Sequence, residues 1–184
     1  MVLILSCFHC RRSKVFASPG RPQIRKIEGT LSILMSTSAF LNYKRSRFST
    51  RLPIDFRYTQ SHFWLQAMPD DVYRIGLTKF ATRMLGDLVE TGVEVEPETP
   101  VEVGQVIGWV ECLKAASDLY CMARGRFVRA NPELNQHPDW LTRDPYGKGW
   151  LYEVAGDPEP AALDAEGYAA FLNQIIDTML GGAP

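Results

Sequence analysis

Short apolar runs, each closed by a turn signal, recur through most of the chain and constrain its fold more than any other feature. The runs 72–76, 88–95, 105–112, 119–121, 125–129 and 150–154 are separated by Pro69-Asp70-Asp71, Pro97, Pro100, Gly104, Asn131-Pro132 and Asp144-Pro145. That rhythm predicts a mainly β fold, a small sandwich or barrel of antiparallel strands. Two helices are expected to interrupt it. Thr78 as N-cap and Gly86 as stop bracket a short internal helix. Tyr168, Phe171, Leu172, Ile175, Ile176 and Met179 fall on one helical face between Asp164 and Gly181-Gly182, which predicts a C-terminal helix.

With 184 residues, 46% of them hydrophobic, the chain is long enough to bury one core. Its charge is divided. Residues 1–54 carry ten Lys/Arg and a single acid, Glu28, so the remainder holds ten basic and twenty acidic residues. An acidic body without a cationic cluster argues against nucleic acid, whose phosphates need a concentrated positive face. No apolar run reaches the roughly 18 residues that span a bilayer, so no membrane is expected.

Residues 1–54 read as a disordered basic leader or arm, and 55–184 as the folded domain. Within the leader, residues 1–34 are either a targeting segment or sequence upstream of a start at Met35, and 43–53 form a basic arm. A cytoplasmic bacterial protein is the first expectation and a mitochondrial one the alternative.

Cys7, Cys10, Cys112 and Cys121 give no second close pair to complete a zinc site, and His9, His62 and His137 are far apart. No metal site, nucleophile–base pair or phosphate-binding glycine loop is expected, and hence no stand-alone enzyme. Cys112 and Cys121 lie on either side of Lys114, Cys112 within and Cys121 just after the most unusual segment, Val106-Ile107-Gly108-Trp109-Val110-Glu111-Cys112-Leu113-Lys114-Ala115-Ala116-Ser117-Asp118-Leu119-Tyr120. An apolar strand precedes Lys114, small and turn-forming residues follow it over 115–118, and Leu119-Tyr120 resume the pattern. Lys114 is therefore expected near a hairpin tip, the way a chain presents a lysine for modification.

This segment resembles the lipoyl-attachment segment of the glycine cleavage system H protein family. The likeness extends to Tyr58-Thr59-Gln60-Ser61-His62-Phe63-Trp64, Gly76-Leu77-Thr78, Leu85-Gly86-Asp87-Leu88-Val89, Asn131, and Asp144-Pro145-Tyr146-Gly147-Lys148-Gly149-Trp150, all in family order. It implies a barrel-sandwich hybrid of two antiparallel sheets, with Lys114 joined to lipoic acid as an amide. It also implies that Glu111 and Asp118 mark the hairpin for lipoyl-attaching enzymes, although Asp118 also reads as a simple turn former. The implied partners are glycine decarboxylase (P protein), aminomethyltransferase (T protein) and dihydrolipoamide dehydrogenase (L protein). The implied work is to shuttle the aminomethyl group of glycine from the first to the second as a monomeric carrier subunit.

Four positions depart from the family pattern: Phe63 where an acid is usual, Val93-Glu94 in place of Leu-Pro, and Met122 in place of a proline. An H-like lipoyl carrier for another pathway, such as lipoate relay or sulfur metabolism, is the alternative, followed by an unmodified β-fold binding module. Leu113 and Ala115 stand where biotin carriers place methionines beside their lysine.

Overall fold

The basic arm expected to be disordered through residue 54 is a β-hairpin. The computed structural model describes residues 39–181, and in it β1 (Phe40–Arg45) pairs antiparallel with β2 (Phe48–Pro53). Phe48, Thr50 and Leu52 are buried while Ser49 and Arg51 are exposed, a strand alternation carried beneath the basic composition. The folded body thus begins at least fifteen residues before the expected boundary, by the start of β1. The expectations for residues 1–34, and for Cys7, His9 and Cys10, lie outside the described residues.

A six-stranded antiparallel sheet follows, built from β3 (Arg57–Tyr58), β4 (Phe63–Ala67), β5 (Val72–Leu77), β7 (Pro100–Val101), β10 (Ala123–Ala130) and β11 (Trp150–Pro158). Its spatial order is β3-β4-β5-β11-β10-β7. A three-stranded sheet joins β6 (Leu88–Val93), β8 (Val106–Cys112) and β9 (Ala115–Tyr120), with β8 in the middle. Phe63, Leu65, Ile75, Leu77 and Val154 from the larger sheet meet Leu88, Ile107, Val110 and Leu119 from the smaller one in a single apolar core.

Both helices form where expected. α1 (Lys79–Leu85) has Thr78 as N-cap, its side chain accepting from Ala81 N, and Gly86 at its C-cap with φ 90°. α3 (Ala165–Met179) is capped by Asp164, which accepts from Gly167 N. A short α2 (Trp140–Arg143) lies between β10 and β11.

Since β4 alternates, Trp64 points away from the sandwich core into a second cluster. There it joins Tyr43, Phe48, Leu52, Phe80, Trp150, Tyr168, Leu172 and Ile176. The hairpin, α1 and α3 therefore cover the outer face of the larger sheet. Trp64 needs Gly76 opposite it, because a Cβ there would lie 2.5 Å from the indole. The indole N–H donates to Leu77 O and Pro145 O, which ties the 144–149 turn to the sheet.

Candidate functional site

The smaller sheet positions the lysine. β8 and β9 pair antiparallel with Glu111 opposite Ala116 and Cys112 opposite Ala115, so the connection between them is only Leu113 and Lys114. Neither residue takes a positive φ. Both are exposed, Leu113 at 74%. Lys114 stands at the tip and has no salt bridge among the described residues.

Residues 115–118, expected as a turn, are strand. Small side chains here sit in the ladder, and the reversal needs only two residues. Asp118 accordingly lies in β9 opposite Trp109 and forms no turn; its Oδ2 accepts from Tyr120 Oη at 3.2 Å. Glu111 lies in β8, exposed, on the same outward row as Glu90 of β6 and Ala116 of β9. The inward residues Val110, Cys112 and Leu119 belong to the core, which fixes the base of the hairpin.

Cys112 and Cys121 are both free and buried. Cys112 Sγ donates to Ala115 O across the turn, whereas Cys121 sits beyond the far end of β9 and donates to Ala123 O. Burial pushes the Cys121 thiol up, away from the reactive thiolate. Among the described residues no group of three or more His, Cys, Asp or Glu could hold a metal ion. Clefts of about 380 Å³ and 210 Å³ open where the β1–β2 hairpin meets the body, and no residue of β8 or β9 lines either.

The remaining motif residues support the frame. Asn131 is buried; its Oδ1 accepts from Glu133 N and its Nδ2 donates to Lys148 O and Trp150 O. Tyr146 Oη accepts from Lys79 N. His62 Nδ1 lies 2.9 Å from Tyr168 Oη, and burial lowers the imidazole to about 4, so it is neutral at pH 7. No sequence signal pointed to that pair.

The family model for the glycine cleavage H-protein matches residues 56–174. The chain belongs to this family. A glycine cleavage system H protein from Bacteroides fragilis is 40% identical over 126 residues, 66% of this chain and 97% of the relative. One from Photorhabdus laumondii is 33% identical over 128 residues, 68% of this chain and 98% of the relative. The crystal structure of a glycine cleavage system H protein from Mycobacterium marinum superposes with a TM-score of 0.60 at 36% identity, covering 66% of this chain and 99% of that one.

The fold is therefore the barrel-sandwich hybrid of that family, and membership gives the protein an H-type carrier role alongside the other components of the glycine cleavage system. The β1–β2 hairpin precedes residue 56, where the family match begins. No described helix is long and apolar enough to cross a membrane.

Proposed function

We propose that Lys114 is the lipoyl-attachment residue and that the protein shuttles the aminomethyl group of glycine from glycine decarboxylase to aminomethyltransferase, with dihydrolipoamide dehydrogenase restoring the carrier. One observation supports this reading above all others. Within the family-matched region, Lys114 is presented, exposed and without an ion pair among the described residues, on a two-residue turn whose strands are anchored in the core.

When attached, the lipoyl group supplies a disulfide that accepts the aminomethyl unit as it is reduced. The protein's own residues hold the attachment point still. Val110, Cys112 and Leu119 fix the hairpin base, and the two-residue turn leaves little slack at the tip. Tethering then sets a high local concentration of the arm at each partner site. Glu111 and Asp118, exposed on either strand beside the tip, are the groups by which lipoyl-attaching enzymes recognise the hairpin. The bacterial cytoplasm is the compartment we propose, in keeping with the bacterial relatives.

Intact mass after incubation with lipoate, ATP and a lipoate ligase tests the site: the protein should gain one lipoyl mass, and Lys114→Arg none. Lipoylation of the variant would sink the assignment. The modified protein should then support glycine-dependent release of carbon dioxide by glycine decarboxylase. A fully modified but inactive protein would move the carrier to another lipoyl-dependent pathway.

A further inference from the structure

Among the described residues, no layer covers the outer face of the β6–β8–β9 sheet. The pairing sets its side chains in two rows across the strands, Glu90, Glu111 and Ala116 nearest the tip, then Gly92, Trp109 and Asp118. Glu90, Glu111, Ala116 and Asp118 are exposed, and Trp109 is half-buried.

Trp109 lies flat on its neighbour: a Cβ on Gly92 would come within 2.7 Å of the indole Nε1 and Cε2, so only glycine leaves room for the ring. The larger sheet has the same pair in Trp64 and Gly76, but there the indole is fully buried and hydrogen-bonded. Trp109 faces outward instead, with three carboxylates around it. None of the three has a salt bridge among the described residues.

An aromatic face ringed by unpaired carboxylates is complementary to a guanidinium or ammonium group, which gains from the ring quadrupole and from the surrounding negative charge together. Elsewhere in the molecule, the two arginines stacked on Trp150, Arg74 and Arg129, share just this arrangement with the carboxylate of Glu153. On the outer sheet the carboxylates and the indole are present, and among the described residues no cation is seated on them.

We propose that this face is the docking surface for the decarboxylase that loads the arm, and that it receives a basic patch of that enzyme with an arginine or lysine seated on Trp109. The proposal rests on Lys114 being the arm-bearing residue. Amide formation at Lys114 removes the positive charge at the tip, so the loaded protein presents a more negative face than the unloaded one. The same contact places the tip at the partner's entrance, because the carboxylate row nearest Lys114 and the indole row lie two residues apart on one face of the ladder, with the pair Val110 and Ser117 between them.

The experiment measures binding of the lipoylated protein to glycine decarboxylase across a salt series, with Trp109→Leu, Trp109→Phe and Glu90→Lys alongside wild type. Glu90 has no assigned part in lipoylation, and thermal midpoints check that each variant is folded. Wild-type binding should weaken as salt rises. Trp109→Leu and Glu90→Lys should each bind at least about tenfold more weakly, while Trp109→Phe, which keeps a flat ring over Gly92, should stay close to wild type.

Folded, lipoylated Trp109→Leu and Glu90→Lys that bind like wild type would overturn the docking face and leave the carrier reading intact. If Trp109 merely covers Gly92, Trp109→Leu shifts the thermal midpoint and leaves binding unchanged, which also overturns it. Failure of wild type to take up lipoate or to engage the decarboxylase strikes the carrier reading itself and removes the docking face with it.

Discussion

Arg45 meets Asp177 edge-on, its Nε donating to Oδ1 at 2.8 Å and its Nη2 to both carboxylate oxygens. One helical turn earlier, Tyr43 Oη donates to Asn173 Oδ1 at 2.9 Å. Two residues of β1 thus fasten to two residues four apart on α3, on one helix face. A segment that precedes the family match is joined to the last helix of the fold.

The apolar contacts, rather than this ion pair, should carry the stability of that junction. Arg45 and Asp177 are 41% and 46% exposed, where water and salt weaken such pairs. Leu52 is fully buried. Leu52→Ala should therefore cost about 2–5 kcal/mol and lower the thermal midpoint by roughly 5–15 °C, with Arg45→Ala well below that. A Leu52→Ala midpoint equal to wild type would mean that the hairpin contributes no stability.

A pH series should expose His62. Its folded pKa, about 4, lies below the ordinary 6.5, so the unfolded chain binds the extra proton and stability falls as pH drops from 6.5 to 4. A shift of that size corresponds to about 3 kcal/mol. His62 has φ 66°, a conformation asparagine tolerates, so His62→Asn is the suitable comparison. Denaturant midpoints of the variant should lose the slope in that window. Glu153, held below the usual carboxylate range by Arg129 and Arg74 against the opposing effect of its burial, gives its own loss only as pH falls below about 4.5.

Gly76→Ala should destabilise strongly although its backbone conformation is ordinary. The added methyl would collide with Trp64, a fully buried ring, and displace the indole N–H from Leu77 O and Pro145 O. Overpacking of this kind costs about 1–3 kcal/mol, more with lost hydrogen bonds. Near-UV circular dichroism and the thermal midpoint should both change, and an unaltered midpoint would show that the ring has room to move.

Glu111→Gln and Asp118→Asn should slow lipoylation without touching stability. Both side chains are exposed and free of salt bridges among the described residues, so the fold loses little when either is neutralised. A mass time course at limiting protein should show each variant modified several-fold more slowly. Equal rates would reduce both carboxylates to members of the acidic face.

The sequence was most legible where period and punctuation agreed. Thr78 and Gly86 bracket α1, Asp164 caps α3, and the strand over 72–77 follows its apolar pattern. It was least legible where composition masked period. Lys44, Arg45, Arg47 and Arg51 made β1–β2 look like a solvated arm, although Phe48, Thr50 and Leu52 already alternated.

Ala115, Ala116 and Ser117 misled in the opposite way, since small residues suggested a turn where cross-strand pairing with Cys112, Glu111 and Val110 makes a strand. At the candidate site, Lys114 and its tip position were visible from the pattern. The bedding of Trp109 on Gly92 was not, because it depends on which residues of two distant strands end up opposite each other.

The two-residue turn gives Lys114 a phase as well as a place. Side chains in paired strands alternate, so sliding β9 by one residue would turn Ala116 and Asp118 inward and bring Leu119 to the surface. Leu119 is 1% exposed and opposes any such slip. An inert leucine five residues from the lysine therefore keeps the direction in which the Lys114 side chain leaves the protein, and the hairpin can be lengthened only in matched pairs of residues if that heading is to survive.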